Sequence, residues 1–191
     1  MKAVVMAGGR STRFGGGEKP MATLLGKPLV GWVVDALERG NAGPVSVATS
    51  PRTPATARWA RARGLAVIET PGRGFVEDAA LAARRLGLPL LVVAADLPRL
   101  PPETVAATIR RYGETHRPLS LWVPAGRQEM PAQGGLAPAG LNLWAPGEEE
   151  RWTVRSPGLA MNVNTLAGLF EVRASLEGLF SGNRRNIEAP S

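Results

Sequence analysis

The sequence predicts an α/β fold with a doubly wound, mostly parallel central sheet. Short apolar runs alternate with segments of helical periodicity through residues 1–115. Glycine and proline stand at the boundaries of these segments, where helices begin and end. The chain has 191 residues, 44% of them hydrophobic, which suffices for one domain with a full core.

Four strands and four helices are predicted in residues 1–115. Pro28 opens the first helix, Leu29, Val33 and Leu37 form part of its apolar face, and Gly40 ends it. The later helices likewise begin at a proline or after a glycine loop. The predicted strands are Lys2–Ala7, Val45–Ser50, Leu65–Glu69 and Leu88–Ala95. The predicted helices are Pro28–Arg39, Pro54–Arg63, Val76–Leu86 and Pro101–Tyr112.

The remainder of the chain has weaker signals. Segments 124–138 and 145–158 are rich in glycine, proline and charge, so we interpret them as loops. Residues 181–191 are polar and are expected to be frayed. The predicted strands here are 119–123, 140–144 and a short final one at 160–165, which is followed by a helical patch at 166–172.

Composition excludes several classes of chemistry. The chain has no cysteine, which rules out disulfides, thiolate metal sites and cysteine nucleophiles. No apolar run is long enough to span a bilayer and the N-terminus has the pattern of a strand, so we expect a soluble, cytoplasmic protein with no membrane span.

The net charge of +7 raises the possibility of a nucleic-acid-binding module. The arginines are dispersed, however, and the tryptophans do not alternate with a basic run. This pattern favours a solvated basic surface, which also attracts small anionic substrates. We therefore expect no nucleic-acid partner and keep such a module as the non-enzymatic alternative.

The first predicted strand runs directly into a glycine-rich loop, residues 8–19. Gly8 and Gly9 let the backbone approach an anion, while Arg13 and Lys19 can each reach phosphate oxygens. The loop matches neither the Walker A pattern nor the Gly-x-Gly-x-x-Gly dinucleotide pattern. The alternative is a flexible surface loop with incidental charge, but the strand before it and the helix after it favour a phosphate site.

Other polar residues follow predicted strands whose carboxyl ends meet at one sheet edge, where ligands bind in such folds. Asp96 ends an apolar strand and could hold Mg²⁺ against a triphosphate; its alternative role is a helix N-cap. Alternation places Asn162 and Asn164 on one face of the final strand, where one amide oxygen could complete the metal shell. Paired asparagines more often make turn hydrogen bonds.

The segment PAGLN at 138–142 combines small residues with a polar one. Gly140 and Asn142 could border a bulky acceptor. The same segment could equally be the ordinary entry to a strand.

Several of these segments resemble the MobA-like nucleotidyltransferases, the family of the molybdenum-cofactor guanylyltransferase, which is related to the sugar-phosphate nucleotidyltransferases. The resemblance lies in MAGGRSTRFG at 6–15, EKP at 18–20 and LGKPL at 25–29. AADLP at 94–98 and NVNT at 162–165 are similar to the two metal-binding segments of that family. Within it, the archaeal GTP:adenosylcobinamide-phosphate guanylyltransferases are most similar, through VATSPRTP at 47–54, IETPGRGFVED at 68–78, VP at 123–124 and PAGLN at 138–142.

The resemblance implies a three-layer Rossmann-like nucleotidyltransferase fold and transfer of GMP from GTP to a corrinoid phosphate acceptor. It implies one domain over residues 1–191, with a nucleotide-binding part at 1–115 and an acceptor-binding part at 116–180. Molybdopterin and sugar phosphates are the alternative acceptors, and a homodimer is left open.

The resemblance also implies a set of site residues. Arg13 and Lys19 would contact the phosphates, and Asp96 and Asn164 would hold Mg²⁺. The residues implied for backbone contacts to the nucleotide are Ala7, Gly8, Gly9 and Thr12, and those implied beside the base are Thr49, Ser50, Gly74 and Asp78.

Overall fold

The computed structural model describes residues 1–11, 14–15, 17–125 and 134–185, with side chains in the last helix described as far as Glu177. The strands are β1 (Ala3–Met6), β2 (Thr23–Leu24), β3 (Lys27–Pro28), β4 (Val45–Thr49), β5 (Ala66–Glu69), β6 (Leu90–Ala94), β7 (Leu119–Pro124), β8 (Leu136–Trp144) and β9 (Glu150–Thr153). The helices are α1 (Leu29–Arg39), α2 (Pro54–Ala62), α3 (Phe75–Leu86), α4 (Pro102–Thr115) and α5 (Leu166–Arg185), and a 3₁₀ turn covers Lys19–Met21.

Seven strands of the described residues form one sheet in the order β5-β4-β1-β6-β8-β7-β9. The pairs β5–β4, β4–β1, β1–β6 and β7–β9 are parallel, whereas β8 runs antiparallel to both of its neighbours. The predicted α/β fold with a mostly parallel central sheet is confirmed.

The sheet is buried on both faces by helices. On one face, α1, α2 and α4 contribute apolar residues to a core that includes Val5, Leu91 and Val93. On the other face, Ala79 and Ala82 of α3 pack against Val4 and Val92. Each fully buried valine or leucine contributes roughly 1.5–3 kcal/mol, so these strands need continuous apolar runs. That is why they could be recognised in the sequence.

Gly40 ends α1 as predicted, and its lack of a side chain is also required by packing. A Cβ there would lie 2.5 Å from Val105 Cβ and 2.7 Å from the Pro102 carbonyl oxygen. The end of α1 and the start of α4 can therefore approach each other only at a glycine.

Three expectations for the second half were wrong. Residues 150–153 were expected to be a loop but form the edge strand β9, and β8 begins at Leu136, within the segment interpreted as a loop. Residues 160–165 form no strand; the Val163 N–H donates to the Asp96 carbonyl oxygen at 3.0 Å instead. The backbone of α5 continues beyond the helical patch predicted at 166–172, as far as Arg185; the frayed tail expected at 181–191 stays a prediction.

No helix of the described residues has the length and apolar character needed to cross a membrane.

Candidate active site

A pocket of about 490 Å³ opens at the carboxyl edge of the parallel strands. It lies where the chain leaves β1 and β6 and where α3 begins, the place at which α/β sheets bind ligands. Segments widely separated in sequence therefore contribute to one cavity. The lining residues are Met6, Ala7, Gly8, Gly9, Arg10, Ser11, Lys19, Pro20, Gly72, Arg73, Gly74, Phe75, Asp78, Ala94, Ala95, Asp96 and Asn164.

The glycine loop begins at Gly8, which is buried against two neighbouring segments. A Cβ on Gly8 would lie 3.2 Å from Ser50 Cβ and 3.3 Å from Thr70 Oγ1. The Ser50 hydroxyl donates to the Gly8 carbonyl oxygen at 2.9 Å. The start of the loop is thus held on the side that faces Ser50 and Thr70, and its other side is open to the pocket.

Thr49 and Ser50 are buried behind the loop and are not among the pocket-lining residues. The Thr49 carbonyl oxygen accepts hydrogen bonds from the Thr70 N–H at 2.7 Å and the Thr70 hydroxyl at 2.9 Å. These two residues therefore hold the loops after β1 and β5 together. The structure does not bring their side chains to the pocket.

The middle of the glycine loop includes Thr12 and Arg13, which lie outside the described residues. Their roles toward a nucleotide stay predictions. Phe14, next along the chain, is buried in a cluster with Leu24, Leu29 and Val172 of α5. This contact attaches the loop to the last helix of the fold.

The loop ends at Glu18, whose carboxylate reaches the first turn of α2. Its Oε1 accepts from the Ala55 N–H at 2.6 Å, and its Oε2 accepts from the Thr56 N–H and hydroxyl, both at 2.7 Å. A carboxylate is stabilised at a helix N-terminus by the free N–H groups and the helix dipole. Such charge-assisted bonds contribute roughly 1.5–3 kcal/mol each. Our sequence interpretation gave Glu18 no role of its own.

Lys19 joins the loop to the far side of the pocket. Its Nζ lies 2.6 Å from Asp96 Oδ2 and 3.3 Å from Asn164 Oδ1. Its backbone N–H donates to Ser11 Oγ at 3.2 Å. The side chains of Lys19 and Asp96 are 20% and 16% exposed, so this ion pair is partly shielded from water. The structure thus brings three of the predicted site residues into direct contact.

Oxygen atoms suitable for a divalent cation are found on Asp96 and on the segment 162–164, of which Asp96 and Asn164 line the pocket. Asp96 Oδ1 is buried and has no hydrogen-bond partner among the described residues, and the same holds for Asn162 Oδ1. In the described parts of the chain, no group of three or more His, Cys, Asp and Glu could hold a metal ion. A carboxylate with one or two amide oxygens, completed by substrate phosphates, nevertheless suits Mg²⁺, which rarely uses an all-protein cage. The residues present therefore fit such an ion.

The loop after β5 forms the opposite wall. Asp78, only 4% exposed, accepts the Gly72 N–H at 3.1 Å, and Arg52 donates to the Gly72 carbonyl oxygen at 3.0 Å. Gly72 has a φ of +70°, and a Cβ there would lie 2.9 Å from Ser50 Cβ. Gly74 and Asp78 both line the pocket, but one carboxylate oxygen of Asp78 already bonds to its own loop.

Gly140 and Asn142 lie on β8 and are not among the pocket-lining residues. A Cβ on Gly140 would lie 3.3 Å from the Cβ of Ala94, which does line the pocket. Asn142 pairs with Val92 and Ser120, farther from the carboxyl edge. Gly140 is thus adjacent to the pocket wall, whereas Asn142 is more distant.

Several lining residues had no predicted individual role, among them Arg10, Ser11, Arg73 and Phe75. Arg10 and Arg73 are exposed cations at the pocket. Both stand in glycine-rich loops after strands, a signal that could have indicated them. Phe75 is 42% exposed although it is a large apolar residue, and nothing in its sequence pattern marks it.

The pocket at the sheet edge, with its glycine loop and its lysine–carboxylate pair, is an arrangement suited to nucleoside triphosphates. The model of the MobA-like NTP transferase domain matches residues 3–152, and the chain belongs to this family. It is a nucleotidyltransferase. A relative from Methanocaldococcus jannaschii, described as adenosylcobinamide-phosphate guanylyltransferase, is 31% identical over 180 residues, which covers 86% of this chain and 92% of that protein.

Solved structures give the same fold. CMP:2-keto-3-deoxy-manno-octonic acid synthetase, determined in complex with CTP, superposes with a TM-score of 0.72. The match covers 92% of this chain and 98% of that one at 16% identity, so it supports the fold alone.

Proposed function

We propose that the protein transfers GMP from GTP to adenosylcobinamide phosphate and releases pyrophosphate, a step of cobalamin biosynthesis. One observation carries this proposal: the 31% identity to a guanylyltransferase of that specificity extends over nearly the whole of both chains. A molybdopterin or sugar-phosphate acceptor is the alternative, because the matching family is MobA-like.

In this reaction an oxygen of the acceptor phosphate forms a bond to the α-phosphorus of GTP. The bond between the α-phosphorus and the bridging oxygen breaks, and pyrophosphate leaves with that electron pair. No protein nucleophile is needed. The protein must position the reactants in line and neutralise negative charge as it develops on the phosphates.

Lys19 is the residue best placed to supply that neutralisation. Its ammonium group lies in the pocket, held by Asp96 and Asn164. The backbone of Ala7, Gly8 and Gly9 would hold the nucleotide, and Thr12 and Arg13 are proposed to contribute from the same loop. Gly74 and Asp78 would border the base, while Thr49 and Ser50 would act indirectly by supporting both loops.

Asp96 and Asn164 would hold Mg²⁺, with Asn162 as the alternative amide. When bound, such an ion neutralises phosphate charge and orients the triphosphate. The acceptor would lie beyond Ala94, beside Gly140, with Asn142 farther along the same strand. This arrangement would put the two substrates on either side of the β6 end.

The proposal is tested by measuring pyrophosphate release from each of four nucleoside triphosphates in turn. Cobinamide phosphate, molybdopterin and a sugar phosphate are offered separately as acceptors. We expect a signal only with GTP and cobinamide phosphate. A signal with GTP and molybdopterin instead would retain the reaction class and overturn the acceptor.

Asp96→Asn tests the metal assignment. Loss of the carboxylate charge should shift the Mg²⁺ dependence of turnover to higher concentration and lower the rate by about 10²-fold at a fixed, low Mg²⁺ level. The measurement is a Mg²⁺ titration of wild type and variant. An unchanged titration curve would argue against metal binding at Asp96.

A further inference from the structure

Glu18 connects two parts of the molecule that lie far apart in sequence. Its two carboxylate oxygens accept three hydrogen bonds from Ala55 and Thr56 at 2.6–2.7 Å. The very next residue is Lys19, whose Nζ contacts Asp96 and Asn164. A support on α2 and a cation in the pocket are therefore separated by a single peptide unit.

No residue of α2 itself performs this capping. Thr53 occupies the N-cap position, but its hydroxyl accepts from the Ser50 N–H at 2.9 Å and donates to the Ser50 carbonyl oxygen at 3.3 Å. The N–H groups of Ala55 and Thr56 would otherwise lack an intrahelical acceptor, because the first turn of every helix leaves such groups free. Glu18 supplies that acceptor from 37 positions away.

The backbone on either side of Glu18 explains why an anchor is needed there. Gly15 and Gly17 precede it at φ values of +74° and +78°, and neither has a side chain that could attach this part of the loop. After it, the 3₁₀ turn Lys19–Met21 contains the buried Pro20. Glu18 is thus the side chain that fixes the chain where it leaves the glycine loop and enters the turn carrying Lys19.

We propose that Glu18 is a positioning residue that holds Lys19 at the phosphate site. This inference rests on the proposed function of Lys19. Without the Glu18 carboxylate, the turn separates from α2 and the ammonium no longer stays in register with Asp96. The same residues still line the pocket, but the Lys19 ammonium is no longer aligned with Asp96.

The first test is a double-mutant cycle that combines Glu18→Ala with Lys19→Ala. Glu18→Ala alone should lower kcat by about 10²-fold, as a displacement of about 1 Å can do, and change the KM for GTP much less. In the Lys19→Ala background the same change should cost less than about twofold, since residues acting as a unit are non-additive. An equal loss in both backgrounds would show that Glu18 acts elsewhere and would overturn the proposal.

Arg58→Gly is the matched control, because it also loosens α2. Arg58 is exposed in the middle of that helix, and glycine there weakens the helix without touching Glu18. We expect Arg58→Gly to lower Tm while keeping kcat within about twofold of wild type, whereas Glu18→Gln, which retains one acceptor oxygen, should restore part of the lost kcat. If Arg58→Gly lowered kcat as much as Glu18→Ala does, the role of Glu18 would be only to stabilise α2.

A second readout does not depend on turnover. The chain has only three lysines, Lys2, Lys19 and Lys27, so reductive methylation can be followed at each by mass spectrometry. Glu18→Ala should raise the labelling rate of Lys19 by roughly fivefold or more through local opening, while Lys2 and Lys27 stay unchanged. An unchanged Lys19 rate contradicts the positioning role. Absence of GTP turnover in the wild type would instead contradict the proposed function, and the labelling result would still decide the inference.

Discussion

The two loops that face each other across the pocket are fixed in different ways. The glycine loop is held by segments that are distant in the chain. Ser50 at the end of β4 holds Gly8, α5 packs against Phe14, and α2 binds Glu18. The loop after β5 is held by partners that are closer in sequence, at most 21 positions away. Its Gly72 N–H bonds to Asp78, six residues further on, and its Gly72 carbonyl bonds to Arg52.

The glycine loop thus depends on hydrogen-bond partners 37 and 42 positions away, whereas the second loop depends on partners within 21 positions. Lys19, at the end of the glycine loop, contacts Ser11 within that loop and Asp96 and Asn164 beyond it. We therefore expect changes in the glycine loop to alter turnover strongly, and changes in the second loop to alter nucleotide binding or stability more modestly.

Gly8→Asp should have the largest effect. It adds bulk 3.2 Å from Ser50 Cβ and places a negative charge where phosphates would bind. GTP should no longer protect the variant against thermal unfolding, although at 100 times the dissociation constant it should stabilise the wild type by about 2.7 kcal/mol. Gly113→Asp, in open space on α4, is the control for a new carboxylate. Full protection of Gly8→Asp by GTP would place the nucleotide elsewhere.

Lys19→Ala should have the second-largest effect. It should lower kcat by about 10²–10³-fold, because it removes a preorganised charge. Circular dichroism should show an intact fold. Lys27→Ala, which removes a lysine bound to Asp35, serves as the control and should turn over normally. A normal rate in Lys19→Ala would remove the phosphate role from this residue.

Gly72→Ala probes the second loop. A side chain at φ +70° and 2.9 Å from Ser50 Cβ should cost roughly 1–3 kcal/mol of stability. We expect a lower Tm and a raised KM for GTP, with kcat changing less than in Lys19→Ala. If kcat fell as far as in that variant, the contrast between the two loops would not hold.

Arg52→Ala should have the smallest effect. It removes one hydrogen bond to the Gly72 carbonyl oxygen, which contributes about 0.5–1.5 kcal/mol. Asp78 still holds the same loop from its other side. Denaturant unfolding should detect the difference, and a loss above about 3 kcal/mol would show that the second loop depends on Arg52 more than its contacts suggest.

The first part of the fold could be predicted because its strands are buried on both faces and its helices begin at proline or after a glycine loop. β9 was missed because Glu150-Arg-Trp-Thr153 is an edge strand of mixed polarity, and Glu150 pairs with Arg111 of α4. For residues 160–165 the error was the opposite one, because a strand was predicted where the structure has none. Their alternating pattern arises from Val163, which is buried beside Phe14 and not in a sheet ladder.

The candidate site was only partly predictable. Asp96 and the asparagines could be selected because polar residues follow a strand or alternate with apolar ones. The contact of Lys19 with Asp96 and Asn164 spans 77 and 145 positions, and no local pattern encodes such distances. Glu18 was given no role of its own because two of its three hydrogen-bond donors are backbone N–H groups, which any sequence supplies.

The capping of α2 by Glu18 also has a consequence for the electric field in the pocket. Many phosphate sites use the positive end of a helix, but here the N-terminus of α2 already carries a carboxylate of the chain itself. The first turn of α3 likewise contains Glu77 and Asp78. A polyphosphate would therefore be attracted by separate charges, Arg10, Lys19 and Arg73, together with the loop amides. Dissolved salt screens the two exposed cations, Arg10 and Arg73, so a higher ionic strength should weaken nucleotide binding in this pocket.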